Sequence, residues 1–223
     1  MINSICQNID RIRQEIPSTT RLIVVSKQAS PAEIRTAYEI GVRDFAENRL
    51  QDALAKQEQL QDLSDICWHF IGHIQSKKAK KILLHFSWIH SVDNLKIAQR
   101  LEALSAELNL SPQVCLQVKV LSDPNKYGWQ IAELFNDLPT LDRCKYIQIR
   151  GLMTILPLGL SSDETLSAFQ SLHSLAAKIQ QQSWSNLKIQ ELSMGMSDDY
   201  HLAIQAGATM IRPGRIIFQQ QNT

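Results

Sequence analysis

A lysine closes a short apolar run, Arg21-Leu22-Ile23-Val24-Val25-Ser26-Lys27. The run is short and β-branched, so it reads as a parallel strand covered on both faces. A lysine at the C-terminal end of such a strand stands where α/β barrels keep their chemistry. Partial burial there would lower its pKa and leave a neutral amine able to attack an aldehyde. The plain alternative is a solvated lysine that merely ends a strand. Two further segments could hold an anion. Ser193-Met194-Gly195-Met196-Ser197-Asp198-Asp199 sets small residues and a glycine before a helix start, where a backbone can approach a phosphate closely. Arg212-Pro213-Gly214-Arg215 follows the next strand, and barrels often bind phosphate between the loops after strands seven and eight. The competing reading is that Ser197 and Asp198 cap a helix and Gly214 makes a turn.

These groups need elements to position them, and strand-like and helix-like segments alternate along the whole chain. Ile2, Ile5, Ile9, Ile12 and Ile16 recur at helical spacing, which predicts a helix over 2–16 ahead of the first strand. Strands are predicted at 21–27, 43–48, 67–72, 88–92, 114–121, 146–155, 188–193 and 209–212. Between them fall helices from Ser30 to Gly41, then over 49–62, 76–85, 97–108, 129–138, 163–182 and 198–206. Ser30-Pro31-Ala32-Glu33 carries the capping-box pattern with proline at the first helical position. Eight strands alternating with helices, with one helix in front, predict a single (β/α)8 barrel domain over 1–223. An open doubly wound sheet is the structural alternative. Gln219 to Thr223 read as a frayed tail.

Composition narrows the function classes. A formal net charge of +1 gives no electrostatic footprint for nucleic acid or an anionic membrane. Cys6, Cys67, Cys115 and Cys144 are far apart, form no CxxC, and fit small buried hydrophobes in a reducing compartment. No apolar run reaches membrane-spanning length, and no signal peptide opens the chain, so a cytoplasmic protein is expected. His69, His73, His85 and His90 share no metal-ligand spacing with carboxylates, and no metal site is expected. Lys77-Lys78-Ala79-Lys80-Lys81 reads as the solvated face of a helix.

A series of motifs in order carries a stronger signal than any one of them. VSK at 25–27, FAEN at 45–48, WHFIGHIQ at 68–75, IHSVD at 89–93 and CLQVKV at 115–120 are followed by NKYG at 125–128. RGLMTI at 150–155, SMGMSDD at 193–199 and ATMIRPGRIIF at 208–218 complete it. Through them nearly the whole chain resembles the pyridoxal phosphate homeostasis proteins, small relatives of the N-terminal barrel of alanine racemase. The resemblance implies a (β/α)8 TIM barrel of fold type III, with pyridoxal 5′-phosphate (PLP) held on Lys27 as an internal aldimine. It implies phosphate contacts at Ser193, Gly195 and Gly214. Asn48 and Met153 match positions near the cofactor, and His69 matches a strand-end position on the same face. Arg212 matches a contact to the pyridine nitrogen. An arginine keeps its proton, so it would donate there and leave the nitrogen unprotonated, which weakens the ring as an electron sink. Ala46, Lys77, Lys119, Pro213, Arg215 and Gln219 depart from the family pattern. Arg215 has two placements, on the phosphate or away from it.

The resemblance implies a PLP-binding protein that buffers or delivers the cofactor inside the cell without strong catalysis. An amino-acid racemase or similar PLP enzyme is the alternative, and a Schiff-base aldolase is a third. Two-base racemization needs an acid/base group on each substrate face. Racemases of this fold bring one from a β-rich second domain of a partner, for which no room is expected after strand eight. An open, wet mouth is therefore expected, with a monomeric chain, PLP as ligand, apo PLP enzymes as partners, and no nucleic acid or membrane.

Overall fold

Short strands in a parallel sheet must be paired on both edges and covered on both faces, and closing the sheet into a ring meets both needs. The computed structural model describes residues 2–123 and 126–218. The side chain of Ile2, Asn125 of the NKYG segment, Gln219 and the tail expected at 219–223 lie outside the described residues. The strands are β1 (Arg21–Leu22), β2 (Val24–Val25), β3 (Asp44–Glu47), β4 (Cys67–Phe70), β5 (Trp88–Val92), β6 (Gln113–Gln117), β7 (Gln148–Met153), β8 (Glu191–Ser193) and β9 (Met210–Ile211). All neighbours run parallel, in the order β1-β9-β8-β7-β6-β5-β4-β3-β2. β1 and β2 are one strand stepping from one neighbour to the other at Ile23. The N–H groups of Arg21, Ile23 and Val25 donate to the carbonyls of Thr209, Ile211 and Pro213, while β2 pairs with β3. This closes the ring and excludes the open doubly wound sheet.

The helices are α1 (Ile2–Glu15), α2 (Pro31–Glu39), α3 (Leu50–Gln59), α4 (Ala79–His85), α5 (Leu95–Leu108), α6 (Ile131–Leu141), α7 (Ser162–Gln180), α8 (Tyr200–Gln205) and α9 (Arg215–Phe218). The capping box at Ser30 forms as expected. Its hydroxyl accepts from the Glu33 N–H, and the Glu33 carboxylate accepts from the Ser30 N–H at 2.7 Å. The basic segment at 76–85 starts as a 3-10 turn over Ser76–Lys78 before becoming α4. α6 runs past Pro139, which lacks an N–H, and the turn closes through the Asp142 N–H on the Leu138 carbonyl. α9 was not expected from sequence. It is only four residues long, and Ile217 anchors it while Asn8 of α1 donates to the Ile217 carbonyl.

Alternation along the strands sorts two cores. Val24, Phe45, Phe70, Ile89, Leu116 and Leu152 face the helices and join the large outer core. Ile23, Val25, Ala46, Trp88, Cys115, Met153 and Met210 face inward and fill the barrel. Cys115 and Cys144 are buried, Cys6 and Cys67 half-buried, and all four are free thiols.

Gly151 of β7 is a close approach, because a Cβ there would meet the Glu191 carbonyl oxygen of β8 at 2.0 Å. Gly151→Ala must push the two strands apart. It is expected to cost about 2 kcal/mol of stability or more, read as a lower urea midpoint, and an unchanged midpoint would contradict this packing.

A candidate ligand site at the C-terminal mouth of the barrel

The strand carrying Lys27 ends earlier than its sequence suggests. The strand ends at Val25, the Ser26 N–H makes a last bond to the Ala46 carbonyl of β3, and the Ser26 carbonyl turns the chain by accepting from the Ala29 N–H. Lys27 therefore sits in a turn and is exposed, not partly buried as expected. It lines a cleft of about 120 Å³ with Val25, Gln28, Glu33, Gly214, Arg215 and Phe218. What fixes its backbone lies behind it. The Glu47 carboxylate, fully buried, accepts from the Ser26 hydroxyl and from Lys56 Nζ of α3, both at 2.7 Å, and Lys56 also donates to the Ser26 carbonyl. Sequence reading missed this triad, because Lys56 reaches it from a helix nine residues away from Glu47.

The loops after β8 and β9 meet beside this cleft. Gly195 has φ +89°, and a Cβ there would strike Ala203 of α8 at 2.6 Å. Ser197 does not cap α8. Its hydroxyl oxygen accepts from the backbone N–H groups of Gly214 (3.1 Å) and Ile216 (3.3 Å). Asp199 accepts from the Met196 N–H and precedes the helix. Two backbone donors thus converge on the Ser197 hydroxyl oxygen, in the turn where an anion was expected. Arg215 lines the cleft and pairs with Asp198 of this turn at the surface.

Three expected residues lie inside the barrel. Met153 ends β7 and is fully buried. Ser193 ends β8, also fully buried, with its hydroxyl between Arg212 and His90. His69 is not at a strand end. It occupies the third position of β4 and points into the barrel interior. Asn48 is half-buried just past β3. Its backbone packs so closely on the segment after β4 that a Cβ at Gly72 would meet the Asn48 oxygen at 2.0 Å.

The interior carries a continuous polar line. Arg212, 2% exposed, reaches the Ser193 hydroxyl (2.6 Å) and the Thr154 carbonyl (2.8 Å). Ser193 Oγ lies 2.7 Å from His90 Nδ1. His90 Nε2 lies 2.8 Å from His69 Nδ1, and His69 Nε2 lies 2.9 Å from Asp44 at the opposite end. Burial lowers the Arg212 pKa to about 10, against the opposing pull of Asp199 and Cys115. Burial, then the charges of His69, Arg212 and Arg21, hold His90 well below its ordinary value. Burial also lowers His69, although Asp44 opposes it. Burial raises Asp44, but its bond to His69 and the charges of His69 and Arg21 outweigh this and leave the carboxyl lowered. Asp44, Cys67 and His69 bring possible metal ligands within 4.8 Å of one another at the N-terminal end. Toward the mouth, His73 contacts Asp93 at 3.0 Å and stacks on Tyr127.

Among the described residues no helix is long and apolar enough to cross a membrane. Residues 2–221 match the family model for the alanine racemase N-terminal domain. A pyridoxal phosphate homeostasis protein of Synechocystis sp. is 53% identical over 203 residues, covering 91% of this chain and 92% of its own. PipY of Synechococcus elongatus, solved with PLP bound, superposes with a TM-score of 0.92 at 48% identity, covering 96% of this chain and 99% of its own. Solved without PLP, it gives 0.93 at 49% identity.

The two buried imidazoles set a pH dependence. Above the ordinary histidine value of 6.5 both are neutral, folded or unfolded, and stability is insensitive to them. Below it the unfolded chain takes up protons that the barrel refuses. Stability should then fall by about 1.4 kcal/mol per pH unit for each histidine, until the pH reaches the lowered folded values. Asp44 is lowered from 3.8, so its contribution is lost only at more acidic pH. Urea unfolding on either side of pH 6.5 reads this slope, and a flat profile down to pH 5 would show the imidazoles to be solvated.

Proposed function

Because the chain belongs to the pyridoxal phosphate homeostasis proteins of the alanine racemase N-terminal domain family, we propose that it binds PLP and buffers or delivers it inside the cell. One observation carries the fit. The Lys27 amine opens onto the same cleft as Gly214, whose N–H donates with that of Ile216 to an oxygen already in place, Ser197 Oγ. A phosphate oxygen can replace or join that hydroxyl. Bound PLP supplies an aldehyde that condenses reversibly with amines.

The chain's own groups then divide the work. Lys27 supplies the amine for a Schiff base. Gly195, Ser197, Gly214 and Ile216 would hold the phosphate, with Gly195 supplying the positive φ that lets the loop pack on α8. Asn48 and Met153 would line the ring, and Arg212 would donate to its nitrogen. Ser193 and His69 act from below. Arg215, neutralised by Asp198, stays at the rim. Because Arg212 can only donate, it would leave a ring nitrogen unprotonated, which would make the ring a poor electron sink. Exposure of Lys27 keeps the cofactor in contact with water, which favours exchange over stabilised carbanion chemistry. The reading is of a single-domain, monomeric, cytoplasmic protein without strong catalysis, whose partners are PLP and apo PLP enzymes.

Purified protein with PLP should be yellow, and borohydride should bleach it and fix the cofactor on the peptide carrying Lys27. Lys27→Ala should fold and lose the band, so a reducible imine persisting in that variant would place the linkage elsewhere. Ser197→Ala should weaken retention by about 1 kcal/mol, more if the lost bond was to a charged oxygen, and pyridoxal should bind far less well than PLP. Transfer to an apo-enzyme, with free PLP scavenged, tests delivery. Loaded protein with L-alanine in deuterated water should exchange few α-protons, and many turnovers per chain would establish a PLP enzyme instead.

A further inference from the structure

The polar line through the barrel has a direction. Asp44 is a carboxylate and only accepts, so the His69 Nε2 beside it must carry a hydrogen. A neutral His69 then has a bare Nδ1, which accepts from His90 Nε2. His90 is neutral and fully buried, so its Nδ1 is bare in turn and accepts the Ser193 hydroxyl hydrogen. That leaves Ser193 with lone pairs only, and Arg212 Nη1 donates to one of them. Every hydrogen along the line points from the guanidinium toward the carboxylate. Five side chains on five different strands or strand ends make it, and each link lies between 2.6 and 2.9 Å. With its hydrogen committed to His90, Ser193 has none to donate to a phosphate.

We propose that Asp44, His69, His90 and Ser193 are positioning residues, a one-way hydrogen-bond ladder that aims the Arg212 guanidinium at the mouth of the barrel. This rests on the PLP reading only for what Arg212 meets there. Trp88 stacks on His69 with an interplanar angle of 10°, and Arg21 lies over Trp88, so the lower rungs are clamped from the side. The upper rung is clamped by the Thr154 carbonyl on the second guanidinium nitrogen. The anion at Asp44 sets the sense of the ladder. An amide in its place could donate to His69 and reverse both imidazoles, leaving Ser193 free to turn its hydrogen elsewhere.

The test uses the full chain with 15N-labelled histidine, both free of PLP and loaded. In the wild type both His69 and His90 should be in the Nε2–H tautomer. In Asp44→Asn, His90 should become a mixture of tautomers although it does not touch residue 44, and Asp44→Glu should restore the single form. In the loaded protein Asp44→Asn and Ser193→Ala should shift the absorbance band of the bound cofactor and raise its dissociation rate about fivefold. If Asp44→Asn does not fold, Ser193→Ala alone carries these readouts. A wild-type His90 in the Nδ1–H form overturns the ladder, as does an absorbance band indifferent to both substitutions. Ordered tautomers in a protein that never forms a band with PLP would instead overturn the cofactor reading, so the two failures are distinguishable.

Discussion

A guanidinium inside a barrel is the constraint around which this molecule is arranged. Arg212 is almost wholly buried, and a cation cannot stay in such a place without partners for its hydrogens. β8 ends in a serine because its hydroxyl accepts from Arg212, and the segment after β7 turns the Thr154 carbonyl inward for the same reason. The requirement propagates. A buried serine between a cation and the barrel wall needs an outlet for its own hydrogen, and His90 and His69 carry it to Asp44. The backbone of Arg212 is tied as well, since its N–H donates to the Gly195 carbonyl. The residue that organises the interior thereby also fixes the loop that turns at the positive-φ Gly195 against α8.

Lys27 illustrates a different economy of design. Its backbone is held by a buried carboxylate, a lysine from α3 and the Ser26 hydroxyl, while its own side chain stands in solvent. Rigidity is supplied from behind and access from in front. A buried lysine would suit an enzyme that must expel water, whereas a fixed but wet one suits a group that must be reached by other molecules.

Much of this was legible in the sequence, and the limits have a physical origin. The alternation of β-branched runs with helical periods located the strands to within a few residues, because burial on both faces leaves a strong compositional trace. The position of Lys27 and of the two glycine-bearing loops followed from strand ends. The ladder did not, because Asp44, His69, His90, Ser193 and Arg212 lie on separate strands and their contacts depend on register and inward phase. His69 was read as a strand-end residue, but it lies one residue before the end of β4, where alternation points it into the barrel and Phe70 outward. The Glu47–Lys56 contact and the donors on Ser197 are tertiary, and α9 is too short to leave a period. What signal existed was chemical: two histidines and an aspartate inside runs otherwise built for an apolar core.

The contact between α1 and α9 has a temporal meaning. Asn8 and Ile217 are 209 residues apart, and Tyr200 of α8 bonds Glu15 of α1. During synthesis the first helix can pack on α2 early, but its contacts with α8 and α9 wait for a segment made long afterwards. That segment also brings the Gly214 and Ile216 amides. A nascent chain halted before it would lack the two amides that meet the Ser197 hydroxyl, so this turn is completed only at the end of synthesis.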